Sequence, residues 1–334
     1  MKVFPRGVCS LLLLVLGGLS MNAAAEGEAP YSGSVGQNYP KEVFFGDTHL
    51  HTRNSADAWS MGNLNLTPGD AYRFAQGSPV LAHNGMQVQL RRPLDFLVVS
   101  DHAEYLGAFY RFNVNDSLIT KTDVGRQWQT YVEEGDLAKF FGAFVNSMRN
   151  PEEDPALPAA VRQTVWSGVA KTADRHNKPG VFTAFSGYEW TSMISGNNLH
   201  RVVVFKDDAD KVSQMIPFSG QDSLDPRDLW QALANYETAT GGEVLSIAHN
   251  GNLSNGMMFP DETVGGSPID EAYASLRARF ETVYEVTQVK GDGEAHPVLS
   301  PDDEFADFDG FSFEEPSVAA DQVMLEAINE EEGN

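Results

Sequence analysis

Cysteine is nearly absent from this chain of 334 residues. The one cysteine, Cys9, lies in an N-terminal stretch that carries Lys2 and Arg6, then an apolar run over residues 10–19 and three alanines. This pattern is typical of a secretory signal peptide, which we assign to residues 1–25. The exported chain would then lack cysteine, which excludes disulfides and thiolate catalysis and leaves nitrogen and oxygen as metal ligands.

Basic residues are also scarce, and long apolar runs are missing. The chain has 23 Lys and Arg against 47 Asp and Glu, a formal net charge of −24. Such a field disfavours nucleic acid and anionic membranes as partners. After the N-terminal stretch, no segment reaches the roughly 18 consecutive apolar residues of a membrane helix, and Cys9 precedes the apolar run rather than following it as a lipidated cysteine would. We therefore predict a periplasmic or secreted protein with no membrane anchor.

Apolar strands alternate with helical segments along the rest of the chain. A flexible segment over residues 26–42 leads into one domain over residues 43–334, in which residues 103–178 are mostly helical. The predicted strands are 43–51, 94–100, 181–190, 200–205, 243–248 and 281–288, and the other predicted helices are 68–77, 226–240, 268–280 and 318–330. This alternation predicts an α/β fold with a mainly parallel sheet or barrel.

Histidines and carboxylates concentrate where these strands end. His49 and His51 are two residues apart on the first strand, so their imidazoles share a face. Asp101 and His102 follow the second long strand, and His249 follows the strand that ends at residue 248. Because sites in α/β folds gather at the carboxyl ends of strands, we expect these side chains to meet.

Three more residues are candidate metal ligands. Asp57 follows the His-x-His strand, where it either binds metal or forms the turn. Glu189 lies in an apolar strand between Tyr188 and Trp190 and needs a buried partner, either a metal ion or an arginine. His200 begins the next strand, where it either binds metal or caps the strand.

Three further residues are candidates for supporting roles. Of the neighbours Asp101 and His102, we favour His102 as the metal ligand. Asp101 could instead orient a histidine ring through a hydrogen bond. Arg53 and Arg201, next to candidate ligands, either hold phosphate oxygens or form surface salt bridges. A histidine-rich site with carboxylates suits zinc, manganese or iron, and more than four ligands imply two or three ions.

Several motifs occur in an order known from one superfamily. The set His49-x-His51, Asp57, Ser100-Asp101-His102, Gly187-x-Glu189, His200 and Ala248-His249 resembles the PHP (polymerase and histidinol phosphatase) superfamily. The stretches Gly-Asp-Thr-His-Leu-His-Thr, Val-Val-Ser-Asp-His-Ala-Glu-Tyr-Leu-Gly, Ser-Gly-Tyr-Glu-Trp-Thr, Ala-His-Asn-Gly-Asn and Ser-Pro-Asp-Asp-Glu-Phe-Ala-Asp-Phe look more closely like its exported branch, the DUF3604 family. The likeness covers roughly residues 43–310.

The resemblance implies a distorted (β/α)7 barrel with two or three divalent metal ions. It implies hydrolysis of a small phosphorylated substrate by a hydroxide that bridges the metals. By that pattern, seven residues are the metal ligands: His49, His51, Asp57, His102, Glu189, His200 and His249.

One feature of the PHP pattern is missing from the sequence. PHP proteins end their site with Asp-x-His on a late strand, whereas after His249 only His296 remains here. We therefore expect a C-terminally truncated member with an incomplete barrel, and a non-catalytic metal-binding or binding protein is the alternative function. A metal-dependent amidohydrolase would share the His-x-His start, but no lysine lies at a strand end to serve as its bridging ligand.

Overall fold

Strands and helices alternate along the chain in the computed structural model, which describes residues 42–151, 156–288 and 291–293. The predicted signal peptide, residues 26–41 of the lead-in and the predicted helix at 318–330 lie outside these ranges. The strands are β1 (Gly46–Leu50), β2 (Val80–Leu81), β3 (Gln87–Val88), β4 (Phe96–Val99), β5 (Thr183–Trp190), β6 (Met193–Ile194), β7 (Asn197–Asn198), β8 (Arg201–Phe205), β9 (Val244–Ala248), β10 (Thr287–Gln288) and β11 (Gly291–Asp292).

The helices fill the intervals between the main strands. They are α1 (Ala56–Ser60), α2 (Pro68–Ala75), α3 (Ala108–Asn113), α4 (Ser117–Thr120), α5 (Asp123–Glu134), α6 (Leu137–Arg149), α7 (Ala159–His176), α8 (Ala209–Val212), α9 (Pro226–Thr240) and α10 (Glu271–Phe280), with a 3-10 turn at Gly251–Leu253. Capping residues determine where several of these helices begin or end. Thr67 and Asp70 form a capping box at the start of α2, and Gly241 ends α9 in the left-handed conformation.

The central sheet has five strands in the order β1-β4-β5-β8-β9. β1, β4 and β5 are parallel, whereas β8 is antiparallel to both β5 and β9. The prediction of a mainly parallel sheet is therefore wrong for β8. Only ten residues separate Trp190 from Arg201. That is enough for a hairpin, here β6 and β7, but too short for the crossover that parallel strands need.

The sheet curls into a half-barrel. In a flat sheet β1 and β8 would be about 14 Å apart, because neighbouring strands are spaced ~4.8 Å and two strands lie between them. Cα atoms of β1 and β8 nevertheless approach within 8 Å of one another. The curl gives the sheet a concave inner face and a convex outer face, so side chains from strands that do not touch can meet inside.

The two faces of the sheet carry different residues. On the outer face, helices α7 and α9 cover an aromatic core that includes Trp166, Tyr188 and Trp230. On the inner face, Val98, Val202 and Ile247 pack together as an apolar floor. The alternation of side chains along each strand separates these two layers and leaves the inner positions above the floor for polar residues.

The stretch predicted as a strand over residues 281–288 is mostly irregular. Glu281 still belongs to the end of α10, because its amide donates to the carbonyl of Arg277 at 2.8 Å. Tyr284 forms an isolated parallel bridge with Ala248, and regular pairing is confined to β10 and β11. The predicted strand is thus reduced to short contacts beside β9.

Candidate metal centre

Strand polarity explains why the candidate ligands meet at one edge of the half-barrel. The carboxyl ends of β1, β4, β5 and β9 point to this edge, and they deliver His49, His102, Glu189 and His249. Since β8 runs the other way, its beginning lies at the same edge, and His200 precedes β8 directly. A histidine at the start of an antiparallel strand is therefore equivalent to one at the end of a parallel strand.

Glu189 lies at the middle of the cluster and is 1% exposed. Its Oε1 atom is 2.7 Å from Nδ1 of His200 and 3.0 Å from Nε2 of His249. Its Oε2 atom is 2.9 Å from Nε2 of His51 and 3.2 Å from Nε2 of His49. The two oxygens of one carboxylate thus face two different pairs of imidazoles.

His102 and Asp57 extend the cluster on one side. The Nε2 atom of His102 lies 3.3 Å from Oδ2 of Asp57, and its Nδ1 atom lies 3.8 Å from Oε1 of Glu189. The ring centroids of His51 and His102 are 4.7 Å apart. The structure therefore brings all seven predicted ligands together.

Glu285 belongs to the same cluster, although we did not predict it. Its Oε2 atom lies 2.8 Å from Nδ1 of His49. The sequence offered one clue, because Tyr284-Glu285-Val286 repeats the aromatic–carboxylate–apolar order of Tyr188-Glu189-Trp190. His296, the remaining histidine beyond this point, lies outside the described residues.

Hydroxyl groups hold two of the rings. Oγ of Ser55 lies 2.7 Å from Nδ1 of His51, and Oγ1 of Thr191 lies 2.6 Å from Nδ1 of His102. Asp101, which we expected to orient a ring, instead accepts hydrogen bonds from the amide of Thr52 at 2.5 Å and from its hydroxyl at 2.8 Å. Asp101 thus fixes the turn that follows His51.

The structure does not bring the two candidate arginines to the cluster. Arg201 is 1% exposed on the outer face, with its Nε atom 2.7 Å from Oε1 of Glu281. The reason is alternation along β8, which sends Arg201 to the face opposite His200. The guanidinium of Arg53 stacks on the ring of Tyr110, 3.6 Å from its centroid.

In the cluster, carboxylates shielded from solvent lie in contact with histidine rings, and this contact changes their pKa values. Burial alone would raise the pKa of Glu189, but His102 and His249 and the hydrogen bond with His200 hold it well below its usual value. Burial likewise opposes ionisation of Asp57, yet His51 and His102 lower the pKa of that carboxyl. Both carboxylates are therefore charged at neutral pH and require positive partners.

The histidines divide into charged and neutral rings. Burial lowers the pKa of His49, but hydrogen bonds with Glu189 and Glu285 outweigh it and raise the pKa to about 10. For His102, Glu189 and Asp57 overcome burial and raise the pKa to about 9. Burial lowers the pKa of His249 to about 3 despite Glu189, so this ring is in the neutral form that binds metals.

The residues of the cluster fit divalent metal ions. Four sets of three residues have candidate ligand atoms within 4.8 Å of one another: His49, His51 and Glu189; His49, His249 and Glu285; His51, Asp57 and His102; and His102, Glu189 and His200. Nδ1 of His249 is buried without a hydrogen-bond partner among the described residues. A cation would relieve such a buried polar atom, whose desolvation is otherwise uncompensated.

Exposure increases from the centre of the cluster toward one side. The side chains of His249 and Glu189 are 0% and 1% exposed, whereas those of His51 and Asp57 are 17% and 21% exposed. The apolar floor lies beneath the carboxylate. Among the described residues, the mouth of the cluster therefore lies beside His51 and Asp57, its most exposed side chains, ahead of His49 and Glu285 at 10% and 14%.

Comparison with known families gives a match over most of the chain. The model of DUF3604, described as a protein of unknown function, matches residues 38–329. The chain belongs to this family, as its motifs predicted. Comparisons with curated proteins and with solved structures give no match. Among the described residues, no helix has the length and apolar character needed to cross a membrane.

Proposed function

We propose that this protein is a metal-dependent hydrolase, most specifically a phosphoesterase. The observation that carries the proposal is the convergence of His49, His51, His200 and His249 on the carboxylate of Glu189, with His102 and Asp57 alongside. Imidazole and carboxylate donors in one buried cluster are the ligand types that zinc, manganese and iron sites use.

Bound divalent ions would supply Lewis acidity toward a phosphoryl oxygen and lower the pKa of a water molecule. The residues of the chain fix the geometry. Glu189 would present one oxygen to each side of the cluster, since its two oxygens already face different histidines. Ser55 and Thr191 hold the rings of His51 and His102 by their Nδ1 atoms and leave Nε2 directed into the cluster. The mouth at Asp57 would admit a small substrate.

Two arguments favour a phosphoester over other substrates. The ligand motifs resemble those of the PHP superfamily, which supports both phosphoester hydrolysis and the view that the half-barrel is part of a distorted (β/α)7 barrel. In addition, a chain with a net charge of −24 repels anions from its general surface. Cations held by the cluster would reverse the field locally and confine an anionic substrate to the mouth.

The test combines metal content with activity. The chain is purified without chelators, its metal content is measured by plasma mass spectrometry, and hydrolysis is followed on a panel of phosphomonoesters and phosphodiesters. Glu189→Gln preserves shape but removes the charge that faces four imidazoles. Glu133→Gln on the exposed side of α5 is the matched control. We expect Glu189→Gln to lose at least one equivalent of metal and more than 100-fold in activity.

Two results would contradict the proposal. A wild-type chain that retains no transition metal would remove its basis. A chain that binds metal but hydrolyses no phosphoester on the panel would favour the second candidate, a non-catalytic metal-binding protein. One observation favours that alternative, because neither Arg53 nor Arg201 contacts the cluster to hold a phosphate.

We also propose that the protein is exported. The support is the N-terminal pattern of Lys2 and Arg6, the apolar run over residues 10–19 and the alanines that end at Ala25. Expression in a Gram-negative bacterium followed by cell fractionation and N-terminal sequencing tests this. We expect a periplasmic product that begins at residue 26, whereas an uncleaved cytoplasmic product would refute export.

A further inference from the structure

The backbone around Glu285 is fixed beside β9. The amide of Glu285 donates to the carbonyl of Ala248 at 3.1 Å, and Tyr284 forms a parallel bridge with the same residue. Ala248 directly precedes His249 in the sequence. Glu285 therefore arrives at the cluster on a backbone segment that is hydrogen-bonded to the strand delivering His249.

Tyr284 anchors this segment on the opposite side. Its hydroxyl accepts a hydrogen bond from the amide of Gly251 at 3.0 Å and donates to the carbonyl of Gly293 at 3.0 Å. A Cβ atom at position 251 would overlap this hydroxyl, so the close approach requires glycine there. Because neighbouring side chains in extended backbone point in opposite directions, anchoring Tyr284 outward directs Glu285 inward.

The two nitrogens of His49 face two different carboxylates. Nδ1 lies 2.8 Å from Oε2 of Glu285, whereas Nε2 lies 3.2 Å from Oε2 of Glu189. Nε2 of His51 is 2.9 Å from the same Glu189 oxygen. His49 and His51 thus present equivalent atoms, Nε2, to one point, and each has its Nδ1 atom occupied by another group, Glu285 or Ser55.

We propose that Glu285 is the positioning residue for His49 in the metal centre. By accepting a hydrogen bond from Nδ1–H, Glu285 fixes the tautomer in which Nε2 carries the lone pair, and it holds the ring toward Glu189 and His51. A carboxylate behind a ligating histidine also makes the ring more basic and strengthens its bond to metal. This inference rests on the proposed function, because it assigns Glu285 a role only if His49 binds metal.

The hydrogen-bond geometry favours this role over direct ligation by Glu285. A histidine ligates through one nitrogen while the other makes the hydrogen bond that orients the ring. Nε2 of His49 already points to the oxygen of Glu189 that His51 faces. Nδ1 is therefore the orienting nitrogen, and Glu285 is its partner.

The experiment compares Glu285→Gln with Glu285→Ala. The amide oxygen of Gln still accepts from Nδ1–H, but Gln cannot act as an anionic ligand, whereas Ala can do neither. Zinc affinity and stoichiometry are measured by calorimetry on metal-stripped protein, and Glu262→Gln on the exposed surface is the control. Proton–nitrogen correlation spectra of nitrogen-15-labelled histidine report directly on the tautomer of His49, and thermal unfolding checks that each variant is folded.

We expect the metal stoichiometry at saturation to be unchanged in both variants. Zinc affinity should fall ~10- to 100-fold in Glu285→Ala and clearly less in Glu285→Gln. In the zinc-bound protein, the Nδ1–H proton of His49 should exchange with water as slowly in Glu285→Gln as in the wild type, and clearly faster in Glu285→Ala, where it has lost its acceptor.

Three results would overturn the inference. Loss of one metal equivalent in Glu285→Gln would make Glu285 a ligand, and unchanged affinity in a folded Glu285→Ala variant would make it irrelevant to the site. An Nδ1–H proton of His49 that exchanges no faster in Glu285→Ala would show that another group orients the ring. A wild-type chain that binds no zinc would instead overturn the proposed function, so the two failures are distinguishable.

Discussion

Oγ1 of Thr191 lies 2.6 Å from Nδ1 of His102. Thr191 is completely buried, and its amide donates at 3.3 Å to Oε1 of Glu104, which is equally buried. The same carboxylate oxygen accepts a hydrogen bond from the amide of Gly220 at 2.6 Å. A chain of buried contacts therefore runs from Glu104 through Thr191 to one candidate ligand.

The first prediction concerns the Thr191 hydroxyl. Thr191→Val removes the contact with Nδ1 of His102 at nearly constant volume, and we expect metal affinity to fall at least ~10-fold because the ring loses its orientation. Thr191→Ser keeps the hydroxyl and should bind metal nearly as well as wild type. Calorimetric titration with zinc measures both, and equal affinities for the Val and Ser variants would contradict the prediction.

The second prediction concerns the pH dependence of stability through Glu104. Burial raises the pKa of this carboxyl from 4.5 to about 7, although His102 and the Gly220 amide lower it. Folding is therefore favoured by protonated Glu104 below pH 4.5, and this contribution is lost as the pH rises through 7. Glu104→Gln does not titrate.

We accordingly expect the stability of Glu104→Gln relative to wild type to increase between pH 4.5 and 7, by about 1.4 kcal/mol per pH unit. Urea unfolding at several pH values in chelator measures this difference. Glu133→Gln, exposed on α5, should show no such trend. A difference for Glu104→Gln that stays constant with pH would contradict the prediction.

The third prediction concerns protons released by metal binding. The pKa values of His49 and His102 are raised to about 10 and about 9, so at pH 7.5 each ring is an imidazolium with a proton on both nitrogens. A ligating nitrogen must be unprotonated, so metal has to displace these protons. We expect apparent metal affinity to rise about tenfold per pH unit for each proton released between pH 6 and 9.

Calorimetry in buffers with different ionisation enthalpies counts the released protons. His83→Asn, in a loop away from the cluster, should leave the count unchanged. A binding heat that does not depend on the buffer, together with an affinity that does not depend on pH, would show that metal does not displace these protons.

The fourth prediction separates structure from substrate binding at Arg201. Arg201→Met leaves Glu281 buried with one guanidinium fewer, although Arg277 still contacts it at 2.9 Å. We expect a loss of about 3 kcal/mol in the free energy of unfolding, with metal stoichiometry unchanged. Chemical denaturation measures the loss, and Arg126→Met on the exposed face of α5 is the control. Unchanged stability with a raised KM for a phosphoester would instead assign Arg201 to substrate binding.

Features encoded locally were the easiest to predict. The start of α2 and the end of α9 depend on Thr67 and Gly241, whose effects act within one helical turn. The placement of His49 and His51 follows from one strand and its turn. For such elements the chemistry of neighbouring residues is sufficient.

The direction of β8 and the face of Arg201 could also have been predicted from spacing. Ten residues between Trp190 and Arg201 allow a hairpin and exclude a crossover helix. Since side chains alternate along a strand, Arg201 cannot share a face with His200. The position of Arg201 next to His200 in the sequence did not indicate a shared site, because neighbouring residues in a strand point to opposite faces of the sheet.

The contact between Glu285 and His49 could not be predicted from local sequence. It spans 236 positions and depends on the curl that brings the ends of the sheet together. Neither the hydrophobic pattern nor the composition of residues 281–288 specifies that curl. Only the pairing of Tyr284 with Ala248 in three dimensions places the carboxylate in the cluster.

The apolar floor of Val98, Val202 and Ile247 limits the directions from which a substrate can enter the site and a product can leave it. Because hydrocarbon lies below the carboxylate, an ester substrate of the proposed hydrolase and its phosphate product would both reach the cluster from the side of His51 and Asp57, the most exposed of its described side chains. A phosphate ion bound there would prevent the next ester molecule from binding. The proposed hydrolase should therefore be inhibited competitively by its own inorganic product.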